Sequence, residues 1–137
     1  MTMAPQALPR VLLVEQQFVM RRTIVSVARD LGVADVQDAS TVDRGRALLA
    51  GGAYQGLLLN LDDASGAIEL LAELRGGKFV SRPDVPVIVM ASELRPADEQ
   101  RLKTLKVSQL LRKPFKIGVL LNAVARDGHM NARPAEG

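Results

Sequence analysis

Four short segments of the chain carry side chains that could do chemistry. They are Glu15-Gln16, Asn60-Leu61-Asp62-Asp63, Ala91-Ser92 and Arg112-Lys113-Pro114. Carboxylates of this kind act as nucleophiles or bind hard cations, a serine hydroxyl donates hydrogen bonds, and a lysine neutralises an anion. Because the chain has no cysteine, thiolate zinc sites, iron–sulfur clusters and cysteine nucleophiles are excluded.

Composition narrows the class of protein. The 137 residues fit one domain, and 47% are hydrophobic against 3% aromatic, which predicts an aliphatic core. No apolar run reaches the ~18 residues of a membrane span, and residues 1–10 lack the order of a signal peptide. The single histidine, His129, lies in a polar segment where we expect it to be solvated. We therefore expect a soluble, cytoplasmic protein with no membrane contact.

Alternating strands and helices must position the four segments. Short apolar runs predict strands at Arg10–Val14, Val33–Ala39, Gly56–Leu61, Val87–Met90 and Leu110-Leu111. Apolar spacing, caps and stop signals predict five helices. The first runs through Met20, Ile24, Val27 and Leu31 and ends at Gly32, the second runs from Ser40–Asp43 to Gly51-Gly52, and the third runs through Ile68, Leu71 and Leu74 to Gly76-Gly77. The fourth runs from Pro96 to about Lys106, and the fifth covers Ile117–Ala125. This order predicts an α/β fold, a doubly wound five-stranded parallel sheet over residues 10–126, with an extension at 1–9 and a disordered tail at 127–137.

The polar segments follow the predicted strands. A doubly wound sheet binds its ligand at the carboxyl ends of its strands, so we expect the four segments to meet there. No glycine-rich loop follows the first strand, which argues against a nucleotide-binding site of the Rossmann or P-loop type.

The order of short motifs resembles that of a known family. The motifs are Val11–Val14 before a polar pair, Met20-Arg21-Arg22, Leu31-Gly32, Leu57–Leu59, Pro86–Val89 and Lys113-Pro114-Phe115. Over about residues 10–125 the chain resembles a response-regulator receiver domain of two-component systems, of the chemotaxis-regulator type. The resemblance implies the flavodoxin-like (βα)5 receiver fold.

The resemblance also implies a chemistry. Members of the family transfer a phosphoryl group from a phosphohistidine to their own aspartate. Such a transfer needs a carboxylate nucleophile, acidic oxygen ligands for magnesium, a lysine that neutralises the phosphoryl oxygens, and a hydroxyl that hydrogen-bonds them.

The chain departs from that pattern at most of these positions. Asn60 stands at the phosphoacceptor position, Glu15-Gln16 replaces the acidic pair, and Ala91 stands at the hydroxyl position. Leu110 replaces the aromatic switch residue, and only Lys113 is kept, followed by Pro114 at a bond that is cis in the family. We therefore expect a degenerate pseudo-receiver with no catalytic residue, no metal, no cofactor and no enzymatic activity.

Two acids after Asn60 leave an alternative open. The loop there lacks the family's proline and is about one residue shorter, and Asp62 or Asp63 could act as a displaced phosphoacceptor or metal ligand. The other interpretation is that both are exposed acids capping the third helix near Ser65. For Lys113 we expect an ion pair with Glu15 across the strand ends.

The charge is unevenly distributed. Gln100–Arg126 contains seven bases and no acid, so the net charge of +3 leaves −4 for the rest of the chain. In the family, the face of the fourth helix, fifth strand and fifth helix is the usual partner surface. We therefore expect an acidic protein partner, a histidine kinase, phosphotransferase or other regulator, to bind through Arg101, Lys103, Lys106, Leu110, Arg112 and Lys116.

Two further binding modes stay open. The arginines of this stretch could bind an anionic ligand such as a cyclic dinucleotide, or a nucleic acid, although the lack of interleaved aromatics disfavours nucleic acid. The first helix, with Phe18, Val19 and Val25 expected to be exposed, is a second candidate partner surface.

Overall fold

The computed structural model describes residues 8–62 and 64–126. Five strands alternate with five helices: β1 (Arg10–Val14), α1 (Phe18–Asp30), β2 (Asp35–Ala39), α2 (Val42–Gly51), β3 (Gly56–Asn60), α3 (Ala67–Arg75), β4 (Val87–Ala91), α4 (Pro96–Thr104), β5 (Gln109–Arg112) and α5 (Ile117–Arg126). The expected N-terminal extension up to residue 7, Asp63, and the expected tail with His129 lie outside the described residues. Within the described ranges, no helix combines the length and apolar character needed to cross a membrane.

The strands form one parallel sheet in the order β2-β1-β3-β4-β5. Strands β3 and β4 are buried along their whole length, as central strands covered on both faces must be. Helices α2, α3 and α4 pack on one face, where Leu49, Leu70 and Leu102 join the core, and α1 and α5 pack on the other through Ile24 and Leu120. The predicted doubly wound α/β fold is confirmed.

The predicted boundaries shift by one or two residues. Strand β2 begins at Asp35 instead of Val33, because the backbone N–H of Val33 still donates to the carbonyl of Ala28 at the end of α1. Helix α4 ends at Thr104 instead of Lys106, whose φ of 57° places it in the left-handed region. Strand β3 ends at Asn60 and β4 continues to Ala91.

Helices α1 and α4 differ from expectation in what they bury. Val25, expected to be exposed on α1, is 4% exposed and packs in the core, whereas Phe18 and Val19 are 65% and 71% exposed. Helix α4 buries only Leu102. It therefore has a weak apolar attachment to the sheet, and its polar contacts matter more to its position.

Candidate functional site

The carboxyl ends of the strands bring the polar segments together. Val14 is in register with Leu59, and Asn60 with Met90, so the residues that follow β1, β3 and β4 emerge at one edge of the sheet. Ala91 is paired with Arg112, which places Lys113 directly after β5 at the same edge. The Lys113-Pro114 peptide bond is cis. The polar site consists of Glu15, Gln16, Asn60, Asp62, Ser92 and Lys113.

Asn60 lies at the centre of this polar site, 2% exposed. Its amide nitrogen donates to Gln16 Oε1 at 2.7 Å and to the backbone carbonyl of Asp62 at 3.0 Å. Its carbonyl oxygen accepts from Lys113 Nζ at 2.8 Å and from the backbone N–H of Asp62 at 3.2 Å. All of its hydrogen-bonding capacity is therefore used. A carboxylate here would place a second acceptor oxygen next to the carbonyl oxygen of Asp62, and the two would repel each other. The surroundings therefore favour an amide at this position.

Glu15 is the most buried charge of the site, 1% exposed. Its Oε2 accepts from the backbone N–H of Gln17 at 3.0 Å. Its Oε1 lies 3.6 Å from Lys113 Nζ and has no hydrogen bond with any residue of 8–62 or 64–126. The expected pairing of Lys113 with Glu15 is thus present, but it is longer than the contact of Lys113 with Asn60.

Asp62 does not behave as the exposed helix cap that was expected. Its carboxylate accepts from the backbone N–H of Ser92, at 2.9 Å to Oδ1 and 3.2 Å to Oδ2, and from Ser92 Oγ at 2.8 Å. Lys113 Nζ lies 3.4 Å from Oδ2. Helix α3 instead begins after Gly66. The backbone of Gly66 is in the left-handed conformation, and its position provides no side-chain cap for the helix. Because Asp63 is outside the described residues, its alternative role has no structural account.

The surroundings of Asp62 determine its titration. Partial burial acts to raise the pKa of this carboxyl, but the hydrogen bonds from Ser92 and the charge of Lys113 outweigh it. The pKa of Asp62 therefore lies below its usual value, and the group is ionised at neutral pH.

Ser92 is the residue whose role the sequence reasoning missed. The family pattern directs attention to position 91, where Ala91 is fully buried and has no hydroxyl. The hydroxyl is supplied one residue later, and the Ser92 side chain and backbone both donate to Asp62. The signal available in the sequence was a serine directly after β4 together with an acid two residues after β3.

The donor set does not fit a magnesium ion. Gln16 Oε1 already accepts from Asn60, and the carboxylates of Glu15 and Asp62 both face the ammonium group of Lys113. A divalent cation would have to displace that lysine charge. Among the described residues, no group of three or more His, Cys, Asp or Glu side chains is arranged to hold a metal.

The basic surface differs from the uncompensated stretch that was expected. Arg101 pairs with Glu69 on α3 at 3.3 Å, and Arg112 pairs with Glu99 on α4 at 3.1 Å. Lys103, Lys106, Lys116 and Arg126 are exposed and form no ion pair within the described part of the chain. The tertiary structure supplies acids that the linear stretch lacks, so the stretch is not free of acids in space.

The remaining cations are also spread out, and Arg126 lies apart from the lysines at the end of α5. Lys103 and Lys106 precede β5, whereas Lys116 follows it and therefore lies towards the opposite edge of the sheet. Leu110, between them, is half-buried and packs against the core. We call Lys103, Lys106 and Lys116, with Leu110 between them, the lysine face.

Comparison with known proteins identifies the fold. No family model and no curated protein sequence matches the chain. Among solved structures, a CheY-like response regulator receiver domain protein from Methanospirillum hungatei JF-1 is similar at 18% identity and a TM-score of 0.79, covering 92% of this chain and 98% of that one. Chemotaxis protein CheY4 of Vibrio cholerae is similar at 20% identity and a TM-score of 0.76, covering 88% of this chain and 98% of that one. HP1043, an orphan response regulator of H. pylori, is similar at 16% identity and a TM-score of 0.75, covering 90% of this chain and 98% of that one. The chain has the CheY-like receiver fold.

Proposed function

We propose that the chain is a pseudo-receiver of bacterial two-component or phosphorelay signalling, which acts by binding an acidic protein partner without being phosphorylated. The observation that carries this proposal is Asn60. It lies at the end of β3, the position that the resemblance to receiver domains gives to the phosphoacceptor, and its amide is fully hydrogen-bonded to Gln16, Asp62 and Lys113. An amide is too weak a nucleophile to accept a phosphoryl group.

The rest of the polar site supports a role without catalysis. The lysine that would neutralise phosphoryl oxygens is engaged by Asn60 and Asp62. At the position that the resemblance gives to the reporting hydroxyl, the chain has Ala91, whose methyl group is buried. We therefore propose that the chain uses no metal and no cofactor and has no enzymatic activity. It transmits its signal by binding a partner at the surface of the fold.

The lysine face supports the choice of partner. Exposed charges steer an oppositely charged surface during encounter, and they act mainly on the association rate. The partner proposed is an acidic surface of a histidine kinase, a phosphotransferase or another regulator. Arg101 and Arg112 already have carboxylate partners, so a cyclic dinucleotide or a nucleic acid, which would need those arginines, is favoured less by this geometry.

Charge reversal on the lysine face tests the proposal. The chain captures its partner from a native lysate, and association with the identified partner is then measured for Lys103→Glu, Lys106→Glu and Lys116→Glu combined. We expect the association rate to fall several-fold and its dependence on salt to flatten. The matched control reverses three exposed cations elsewhere, Arg29, Arg44 and Lys78. Equal loss in both variants, or no loss in either, would contradict the lysine face as the interface.

A second candidate function is favoured by one observation. Asp62 Oδ2 lies 3.4 Å from Lys113 Nζ, which meets the requirement that a displaced phosphoacceptor contact the lysine. Incubation with a small phosphodonor and magnesium, followed by intact mass measurement, separates the two functions. We expect no adduct. A stable adduct of one phosphate that disappears in Asp62→Asn would replace the pseudo-receiver proposal with a phosphoryl acceptor.

A further inference from the structure

A cavity lies at the end of the sheet opposite the polar site. Its volume of about 430 Å³ falls in the range of small-molecule sites, roughly 300 to 1,000 Å³. The last residue of α3, the loop before β4 and the segment between α4 and β5 form its lining. The lining residues that carry the argument are Arg75, Pro83, Pro86, Leu105, Lys106 and Ser108. We call this space the Arg75 cavity, and it shares no residue with the polar site.

The guanidinium group of Arg75 joins the segments that form the cavity. Its Nε donates to the carbonyl oxygen of Leu105 at 2.7 Å, and its Nη2 donates to that of Lys106 at 3.2 Å. Its Nη1 donates to the carbonyl oxygens of Pro83 and Val85, both at 2.7 Å. Four of its five N–H groups are thereby used. What Arg75 offers a ligand is therefore chiefly the planar face of the guanidinium and not its N–H edge.

The Arg75 cavity carries an excess of positive charge. Arg75 contacts no carboxylate within residues 8–62 and 64–126, and burial lowers the pKa of its guanidinium against a smaller opposing effect of Asp84. Asp84 also lines the cavity, but it already pairs with Arg82 at 3.0 Å. Lys106 has no ion pair in the described part of the chain. These charges favour an anionic ligand.

Apolar groups and one hydroxyl complete the lining. Pro83 and Pro86 restrict the backbone of the loop, and Leu105 packs against the core. Ser108 Oγ accepts from the backbone N–H of Val87 at 3.2 Å, so this bond leaves the hydroxyl proton available for a ligand. The cavity thus combines an apolar wall with a donor and a cation, which suits a ligand that has an apolar part and an anionic part.

We propose that the Arg75 cavity binds an aromatic carboxylate. The ring stacks on the face of the Arg75 guanidinium and against Pro83 and Pro86. The carboxylate accepts from the Lys106 ammonium and the Ser108 hydroxyl. A guanidinium stacks well on an aromatic ring, whereas bidentate binding of a carboxylate would need the N–H edge that the main-chain carbonyls occupy. The ring and the charge of the ligand therefore bind to different parts of the cavity.

The cavity is ordered before a ligand enters. Arg75 fixes the loop before β4 to the end of α4, and the left-handed φ of 57° at Lys106 ends that helix. A preformed site loses little conformational entropy on binding. Because α4 buries only Leu102, a ligand held between its end and this loop adds a second attachment for the helix.

The test titrates the full chain with sodium 2-naphthoate at constant ionic strength and follows its N–H resonances by ¹⁵N NMR. We expect saturable shifts at the backbone N–H groups of Lys106 and Ser108. The Arg75 Nε–H should shift upfield, because protons above an aromatic ring are shielded. No saturable response, or shifts confined to other parts of the chain such as the polar site, would overturn the proposal.

Two further probes separate the ring from the charge. 2-Naphthamide keeps the ring without the charge, and acetate keeps the charge without the ring. Each should bind at least about tenfold more weakly than 2-naphthoate, because each loses one of the two sets of contacts. Equal affinity for 2-naphthoate and either probe would overturn an aromatic carboxylate as the ligand.

Lys106→Asn tests the contact with the carboxylate. Asparagine tolerates the left-handed backbone at this position, so the variant removes the ammonium without straining the fold. We expect 2-naphthoate to bind at least about threefold more weakly. The affinity for 2-naphthamide should stay unchanged.

Lys78→Asn is the matched control for Lys106→Asn. Lys78 is an exposed lysine of the loop before β4 that does not line the cavity, and its substitution should change the affinity for 2-naphthoate by less than about twofold. Equal loss in both variants, or no loss in Lys106→Asn, would overturn the assigned contact. Lys106 also belongs to the lysine face, but these titrations use no protein partner. Their failure is therefore distinguishable from failure of the proposed function, beyond which this proposal goes.

Discussion

Lys113 and Lys103 carry the same charge in two very different regions of the molecule. Lys113 lies in the polar site, where its ammonium contacts Asn60, Asp62 and the buried Glu15. Lys103 lies on α4, exposed to water and without an ion pair among the described residues. Buried charges depend on each other, since removing one leaves its partners uncompensated, whereas exposed charges are solvated independently. The polar site should thus respond to single substitutions and the lysine face only to combined ones.

The largest expected effect is that of Lys113→Met. It leaves the carboxylates of Glu15 and Asp62 without their cation in a poorly hydrated site, and we expect a loss of about 3 kcal/mol in the free energy of unfolding. Urea denaturation measures it. The matched control is Lys103→Met, for which we expect a change within about 0.5 kcal/mol. Similar values for the two variants would remove the distinction between the regions.

Asn60→Asp should also destabilise the protein at neutral pH, by about 2 kcal/mol. The new carboxylate oxygen would face the carbonyl of Asp62, and a third acid would join Glu15 and Asp62 around a single lysine. The substitution should not restore a switch, because Ala91 and Leu110 provide no contact that differs between two states. Large NMR shifts around Leu110 after treatment of Asn60→Asp with a phosphodonor would contradict this expectation.

A smaller effect is expected from the titration of Asp62. Its pKa is lower in the folded chain than in the unfolded one, so its ionised form stabilises the fold above the unfolded pKa of about 3.9, and this stabilisation is lost as pH falls through the folded value. We expect Asp62→Asn to cost about 1 kcal/mol at neutral pH. That cost should shrink as the pH falls below about 4. Denaturation curves of both proteins over this range measure it, and a cost independent of pH would argue against the charged contacts.

The smallest effect concerns the ion pair of Arg101 and Glu69, which joins α4 to α3 at the surface. Exposed pairs contribute about 0.2 to 1 kcal/mol. A double-mutant cycle with Arg101→Ala and Glu69→Ala should give a coupling energy in that range, and it should decrease with added salt. A coupling energy as large as the loss expected for Lys113→Met would mean that solvent does not weaken the charges of this surface pair as we expect.

Prediction from the sequence worked best where periodicity and register decide. The apolar runs of β3 and β4 and the stop signals at Gly32 and Gly77 indicate the fold class, because burial and backbone conformation depend on local residue type. Convergence of the strand ends follows from the parallel topology. The ends of elements were less certain, as at Lys106, where the local backbone conformation ends α4 early.

Apart from the pairing of Lys113 with Glu15, the partners of charged groups were predicted poorly. Glu69 and Glu99 lie outside the acid-free stretch in the chain, yet they neutralise Arg101 and Arg112 in space. Asp62 was expected on the surface, but the contact that orients it comes from Ser92, thirty residues away. Such pairings act through space, and residue type alone does not reveal them.

The amino-acid sequence by itself therefore determined the alternation of elements, the parallel sheet and the residue types at the strand ends, Asn60, Ala91 and Lys113. These follow from local hydrophobic patterning and from the residue types themselves. Only the tertiary structure decided that the Asp62 carboxylate turns towards Ser92 and Lys113, and that Lys103, Lys106 and Lys116 remain the unpaired cations of the lysine face within the described residues. The physical reason is that electrostatic energy depends on distance and burial, which exist only once the chain has folded.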